Sequence, residues 1–374
     1  MKVMIISKAH VVAAYRRKLS ELSRLGLEVV AIVPPYWKEG GRRQRLEPGE
    51  DAGYELIVSP MRWNGHFHLH YYPEVPRLVR DHSPDLIHMD EEAYNLATWH
   101  VARACRLQGI PFVFYTWQNL ARTYPPPFRQ MERSVYRRAA QAIAGSQDAA
   151  MVLRRKGYRG GISVVPQFGI DPDLFSPGPS ADRPYTVGFL NRLIPGKAPL
   201  LALRAFSQLP ADARMLIVGD GPLREEVAQE ISRLGLDRRV EMRERVPSSA
   251  MPDILRSLSV VVLPSISTPT WKEQFGRVLI EAMACGVPVV GSDSGEIPVV
   301  IGDAGLVVKE GSEEELARAL RRLYDDPTLR GQLAEKARLR ALRRFTHGRI
   351  AELTLDAYRH ALGHVSLESK LPLG

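Results

Sequence analysis

The sequence predicts an α/β protein built of two doubly wound domains in series, each a parallel sheet with helices on both faces. Short apolar runs alternate with helical patterns, the rhythm breaks once at residues 171–184, and 374 residues exceed one ordinary core. Strands that alternate with helices need crossover connections, and crossovers give parallel, doubly covered strands.

Residues 3–7 form the first apolar run, and the helical pattern of 12–25 that follows is closed by Gly26. Residues 27–33 and 85–88 read as strands, and the helix over 93–108 is stopped by Gly109. Then come a strand at 111–115, a helix at 128–140, a strand at 141–145, a helix at 148–156 and a strand at 162–165. The segment DPDLFSPGPSADRP (171–184) is rich in Pro, Ser and Asp and has no periodicity, which marks a domain boundary. Beyond it, strands are expected at 186–190, 215–218, 240–242, 260–263 and 287–291, with helices at 199–207, 223–234 and 277–285. Ser312 and Glu315 make a capping box that opens a further helix to about residue 324. A ligand is expected in the cleft at the carboxyl ends of the strands.

Hydrophobic residues make up 45% and charged residues 25%, near the average for soluble globular chains, so disorder is excluded. No window reaches the roughly 18 apolar residues of a membrane helix. The opening MKVMIISKAH is too short an apolar run for a signal peptide and reads as a strand. Cys105 and Cys285 show no pairing pattern, which suits a reducing cytoplasm. The net charge of +9 is uneven: residues 1–175 hold 24 Lys and Arg against 17 Asp and Glu, the rest 27 against 25. Clusters such as Arg16-Arg17-Lys18, Arg42-Arg43-Arg45, Arg137-Arg138 and Arg154-Arg155-Lys156 suit anionic lipid headgroups or anionic substrates, and equally serve as solvated helix faces. They lack interleaved aromatic residues, so no nucleic-acid partner is expected.

The densest chemical signal is TWKEQFGRVLIEAMACGVPVVGSDSGEIPVV, residues 270–300. Gly276 lets the chain turn into a helix whose first N–H groups, at Gly276, Arg277 and Val278, suit a phosphate. Glu281, just over a turn inside, is placed for two adjacent ribose hydroxyls, and Glu273 for hydroxyls attached beyond the diphosphate. A helix cap and a solvated carboxylate would give the same spacing. Arg192 and Lys197, between a strand and a helix, can clamp a diphosphate and stabilise charge on a departing one. No Ser or Thr follows Gly196-Lys197, as a phosphate loop requires, and no GxGxxG opens a helix.

Taken in order and spacing, the Glu-x7-Glu pair Glu273 and Glu281, EAMACGVPVV (281–290), NRLIPGK (191–197), IVGDGPL (217–223) and GIDPDLF (169–175) resemble the retaining glycosyltransferases of family 4. The resemblance implies the GT-B fold, two facing Rossmann-like domains with an interdomain cleft. Residues 1–178 would bind the acceptor, with a helix of about 350–374 packing back on them, and 179–349 would bind the nucleotide sugar. It implies that Arg192 and Lys197 contact the donor diphosphate, Glu281 the ribose and Glu273 the transferred sugar. The backbone of Phe275, Gly276, Arg277 and Val278 would surround sugar and phosphate. The base would lie near Gly219, Asp220 and Gly221 and the loop at Arg245 and Val246. The reaction implied is front-face attack with retention, needing no cofactor and no metal. The donor would be a UDP- or GDP-sugar and the acceptor a hydroxyl of a glycan or lipid-linked glycan. The protein would be cytoplasmic, with peripheral contact to an anionic membrane.

Departures from the family pattern fall in the first half. SKAHVVAAY (7–15) stands where many relatives carry a glycine-rich loop, and places Lys8 and His10 at that mouth. Gln118, with Asn119 beside it, replaces a histidine found in many relatives; glutamine donates a hydrogen bond but exchanges no proton. Arg277 takes a usually apolar helix position and is expected to face solvent or add a third cation. His88, Asp90, Glu91 and Glu92 are candidates for acceptor hydroxyls. His66, His68 and His70 fit an acceptor-lining loop better than a zinc comb, and Asp171 and Asp173 sit in the linker, not at a metal site. Two other readings fit part of this pattern: a GT-B epimerase or hydrolase using Glu91 or Glu92, and a non-catalytic donor-binding partner protein.

Overall fold

The computed structural model describes residues 1–39, 42–49, 52–166, 168–178 and 183–363. The chain divides into two compact units, Met1–Gly169 with His347–Gly374, and Ile170–Thr346. The first division falls at 169/170, just before the expected linker, of which residues 179–182 lie outside the described residues. Ile170 and Thr346 form a bridge, and the Ile170 N–H donates to the Phe345 carbonyl at 2.8 Å, so the second unit is closed where the chain enters and leaves it.

The first unit carries β1 (Lys2–Ile6), β2 (Glu28–Val33), β3 (Tyr36–Glu39), β4 (Arg42–Arg45), β5 (Glu55–Val58), β6 (Leu86–Met89), β7 (Phe112–Thr116), β8 (Gln141–Ala144) and β9 (Gly161–Val164). Its helices are α1 (Ala13–Arg24), α2 (Val75–His82), α3 (Leu96–Gln108), α4 (Phe128–Tyr136) and α5 (Gln147–Arg155). Seven strands make one parallel sheet in the order β5-β2-β1-β6-β7-β8-β9, and β3 with β4 forms a separate antiparallel pair. Alternate residues of β1 serve opposite cores. Val3 and Ile5 pack with Leu19 and Leu22 of α1, while Met4 and Ile6 pack with Val75 of α2 and Val101 of α3. A sheet covered on both faces explains why its strands read as continuous apolar runs.

The second unit carries β10 (Thr186–Leu190), β11 (Arg214–Val218), β12 (Val240–Arg243), β13 (Val260–Leu263), β14 (Val289–Ser292) and β15 (Leu306–Val308), parallel in the order β12-β11-β10-β13-β14-β15. Its helices are α6 (Pro199–Ser207), α7 (Arg224–Arg233), α8 (Met251–Arg256), α9 (Arg277–Ala284), α10 (Ile297–Ile301), α11 (Glu313–Asp325) and α12 (Pro327–Arg344). The final helix, α13 (His347–Ala361), returns to the first unit, where Ile350, Ala351 and Tyr358 join the core around α1.

The sequence reading lacks β3, β4, β5, β15, α2, α8, α10 and α12. These elements are short or polar, or, like α12, present a weak apolar stripe; β4 is exposed along its whole length. One charge cluster also needs correcting. Arg16 and Lys18 are buried, and the Arg16 guanidinium donates to the carbonyls of His10 and Glu47 at 2.8 Å, so neither belongs to a solvated basic face.

Candidate functional site

In the second unit the expected donor residues converge at the carboxyl ends of β10, β11, β12 and β13, where a doubly wound sheet places ligands. After β10, the Leu193 N–H donates to the Asp220 carbonyl at 2.9 Å, tying the loop of Arg192 to the turn that follows β11. In that turn the Gly221 N–H donates to Asp220 Oδ1 at 2.8 Å. Arg192 is exposed, and the amide nitrogen of Asn191 is buried without a partner among the described residues. Arg245 and Val246 follow β12, the first exposed and the second half-buried.

The loop after β13 brings a carboxylate onto Lys197. Lys197 Nζ forms an ion pair with Glu273 Oε2, and both residues are buried. The same oxygen accepts the Ser265 hydroxyl at 2.9 Å. Gly276, at φ 81°, is the N-cap of α9, and Phe275 and Val278 beside it are buried. Helix N–H groups of a first turn have no partner within the helix and favour an anion.

Glu281 lies one turn inside α9, and burial pushes its carboxyl above the ordinary range against the opposing charge of Arg277. Arg277 does not stand out in solvent. Its Nε donates to Glu281 Oε1 at 2.6 Å, so the carboxylate expected to hold ribose is already ion-paired along the helix.

The first unit gathers a second set of charged groups after β1 and β6. Lys8 Nζ pairs with Glu91 Oε2, and His70 Nε2 stands 3.5 Å from the other oxygen. The Lys8 ammonium lies 4.7 Å from the Phe67 ring centroid and 5.3 Å from that of Trp37. His10 is fully enclosed, and burial lowers it to about 4 despite the opposing charge of Asp90. Burial pushes Asp90 up, but Lys18, His10, His88 and the Ser7 hydroxyl bring it below the usual range.

His88 does not reach an acceptor from this position. It has no exposed surface, bonds through Nδ1 to the Tyr358 hydroxyl at 2.6 Å, and is lowered to about 3 chiefly by burial. Glu92 is buried as well, accepting the Thr116 hydroxyl and the Trp117 N–H, each at 2.7 Å. Gln118 accepts from Lys156 Nζ at 3.0 Å and donates to the Tyr124 hydroxyl at 3.3 Å; Asn119 beside it is half-buried. Residues 66–70 form turns, not a strand: His70 is buried against Glu91, while His68 lies among Tyr94, Tyr124 and Phe128. Among the described residues no group of three or more His, Cys, Asp and Glu is arranged to hold a metal ion.

Ser265 and Trp271 are given no role in the sequence reading, which has Glu92 as an acceptor candidate and Lys156 only as part of a basic cluster. Trp271 had a signal, a lone tryptophan two residues before Glu273, whereas nothing in the sequence marks the pairing of Ser265 with Glu273 or of Lys156 with Glu132.

The family described as glycosyl transferases group 1 matches residues 171–340, and that described as glycosyltransferase family 4 matches residues 15–174. The two matches together run from residue 15 to residue 340, well over half the chain. The chain belongs to family 4 of the glycosyltransferases. This is a retaining family with the GT-B fold, and the chain is a glycosyltransferase of that kind. The glycosyltransferase is 28% identical over 285 residues to 2-deoxystreptamine glucosyltransferase of Streptomyces kanamyceticus, covering 68% of this chain and 72% of that one. It is 30% identical over 292 residues to D-inositol 3-phosphate glycosyltransferase of Nocardiopsis dassonvillei, covering 68% of this chain and 66% of that one. The chain thus spans about two thirds of these curated relatives' length. Among solved structures, Anabaena Alr3699/HepE in complex with UDP matches 96% of this chain and 99% of its own, at TM-score 0.73 and 21% identity. A glycosyltransferase from Rickettsia africae matches 97% and 99% at TM-score 0.74 and 16% identity. At these identities the likeness shows the GT-B fold alone.

Proposed function

We propose that the second unit binds a nucleoside diphosphate sugar, UDP- or GDP-linked, and that the enzyme transfers the sugar to a hydroxyl of a glycan or lipid-linked acceptor with retention. The observation that carries this reading is the buried Lys197–Glu273–Ser265 cluster in the same unit as the start of α9. An ammonium has three donor hydrogens, so Lys197 can hold Glu273 and still meet phosphate oxygens. Lys197 and Arg192 stabilise the charge that develops on the departing diphosphate. Glu273 binds hydroxyls of the transferred sugar, and Glu281 those of the ribose. Phe275, Gly276, Arg277 and Val278 line sugar and phosphate through their backbone. The base lies by Gly219, Asp220 and Gly221 and by Arg245 and Val246.

In the reaction the acceptor oxygen bonds to the anomeric carbon on the face from which the phosphate oxygen leaves. The leaving phosphate oxygen takes the acceptor proton. No side chain becomes a covalent nucleophile and no metal is required. The first unit holds the acceptor, with Lys8, Glu91, Gln118 and Asn119 as its candidate contacts. UDP is the first nucleotide to test, because Anabaena Alr3699/HepE is described in complex with UDP and with UDP-glucose. Among the described residues no helix is long and apolar enough to cross a membrane. A cytoplasmic enzyme with its basic first half against anionic lipid fits this reading, and liposome binding that ignored salt would count against it.

A panel of nucleotides and nucleotide sugars tests the donor, because a ligand that binds the folded protein raises its melting temperature by mass action. One UDP- or GDP-sugar should stand out, and Glu273→Ala should abolish its transfer to acceptor. No stabilisation by any nucleotide sugar, or epimer and free sugar formed from donor alone at the transfer rate, would refute the reading.

A further inference from the structure

We propose that Trp271 is a positioning residue of the donor site, its indole face holding the Lys197 ammonium where the diphosphate binds. The inference rests on the donor-site reading above and adds a residue to it. Lys197 Nζ lies 5.5 Å from the Trp271 ring centroid. Tryptophan offers a cation the most attractive aromatic face, and the attraction strengthens when the pair is withdrawn from water. The Lys197 side chain keeps only 11% of its exposure.

The loop that carries the ring is fastened at three points. The Thr268 N–H donates to the Trp271 carbonyl at 2.7 Å, and the Trp271 N–H returns a bond to the Thr268 carbonyl at 3.3 Å. One residue earlier, Ser267 gives its N–H and its hydroxyl to the two oxygens of Glu310, at 2.7 and 2.8 Å. The Ile266 N–H donates to the Gly196 carbonyl at 2.8 Å, joining this loop to the turn that ends in Lys197. Gly196 itself lies under the indole: a Cβ there would come within 2.5 Å of the ring.

This arrangement solves a problem of competing partners. Glu273 attracts Lys197 strongly, and a carboxylate that turns toward sugar hydroxyls would drag the ammonium with it. An aromatic face holds the cation without neutralising it and without using a donor hydrogen, so Lys197 remains available to phosphate oxygens.

Calorimetric titration of the full chain with UDP and with GDP tests the inference, on wild type, W271F, W271L, K197A and W271L/K197A. W271L should weaken the diphosphate that wild type binds about five- to tenfold, and W271F should restore most of the loss. On the K197A background W271L should cost nothing further, whereas a merely structural role would add its full effect. Wild-type affinity in W271L, tighter binding in W271L, or additive losses would each overturn the inference while leaving the donor site intact. K197A with undiminished affinity, or a wild type that binds neither diphosphate, would overturn the donor-site reading and the inference with it. Should W271L fail to fold, Gly196→Ala displaces the same ring and decides the matter: it must weaken the diphosphate to the same extent.

Discussion

Ser265 Oγ donates to Glu273 Oε2 at 2.9 Å, on the oxygen that also receives Lys197 Nζ. Both donors converge on one atom, and the Ser265 hydroxyl anchors the carboxylate where Lys197 meets it. Ser265→Ala should therefore loosen Glu273 and lower kcat/KM for the donor sugar about tenfold, the worth of one hydrogen bond to a charged group. Glu273→Gln keeps the shape but loses the ion pair, and should cost about 10²- to 10³-fold. Steady-state transfer assays check both; equal activity in Ser265→Ala and wild type would show that the hydroxyl positions nothing.

Gly295 lies against the main chain of the same residue. It sits at φ 58°, and a Cβ there would run into the backbone carbonyl of Glu273, which cannot yield as a flexible side chain would. Gly295→Ala should displace Glu273 and depress transfer on the order of 10²-fold. Gly311→Ala provides the control, since Gly311 also has positive φ, at 76°, but nothing within 4 Å of its Cβ. Comparable loss in both variants would mean that backbone strain, not the position of Glu273, is responsible.

Glu92 gives the first unit a pH dependence. Burial pushes its carboxyl up to about 7, against the bonds from Thr116 and the Trp117 N–H and the charges of Lys156 and Lys8. A folded value above the unfolded 4.5 means that its contribution to stability is complete below pH 4.5 and is lost as pH rises through 7. Glu92→Gln should remove that loss, which amounts to about 3 kcal/mol. The melting temperature of Glu92→Gln relative to wild type should thus climb by several degrees between pH 5 and pH 8. His10 and His88, both lowered chiefly by burial, lose stability in the opposite direction as pH falls below 6.5. They are common to both proteins and cancel in the comparison. A difference independent of pH would refute the assignment.

Arg277 and Glu281 form a partly exposed pair on α9, with side-chain exposures of 33% and 9%. Arg277→Ala should raise the Glu281 carboxyl further and destabilise the protein by about 1–2 kcal/mol, less than a fully buried pair would because the guanidinium is partly screened by water. Arg277→Ala/Glu281→Gln should recover much of that loss. Urea unfolding of the four proteins in the cycle measures the coupling, and additive effects would show the pair to be inert.

The sheets were legible because doubly covered parallel strands are apolar along their length, as in Val260–Leu263, whose four residues are all buried. β4 was not, because Arg-Arg-Gln-Arg carries no burial pattern at all. The residues proposed for the donor were legible in kind, since glutamates, cations and a glycine at a helix start stand at fixed spacing. Their pairing was not: Lys197 meets Glu273 across 76 positions, and no local pattern records that. His88 misled for the same reason. It ends a strand as a ligand would, but its partner Tyr358 lies 270 residues further on. The direction of Arg277 is a choice between solvent and Glu281 that periodicity leaves open, and burial of Glu281 decides it.

The second unit is one unbroken stretch of chain, Ile170–Thr346, while the first is interrupted by it and closed by α13. During synthesis, chains emerge from the amino end and domains fold as units. The ribosome must therefore make the entire second unit before the first receives the helix whose Tyr358 closes over His88 and whose Ile350 and Ala351 fill the core beside α1. The half of the enzyme that is translated first is the half that matures last, and until then α1 lacks the helix that packs beside it. A chain that ended at Thr346 would hold a complete second unit tethered to an unfinished first one.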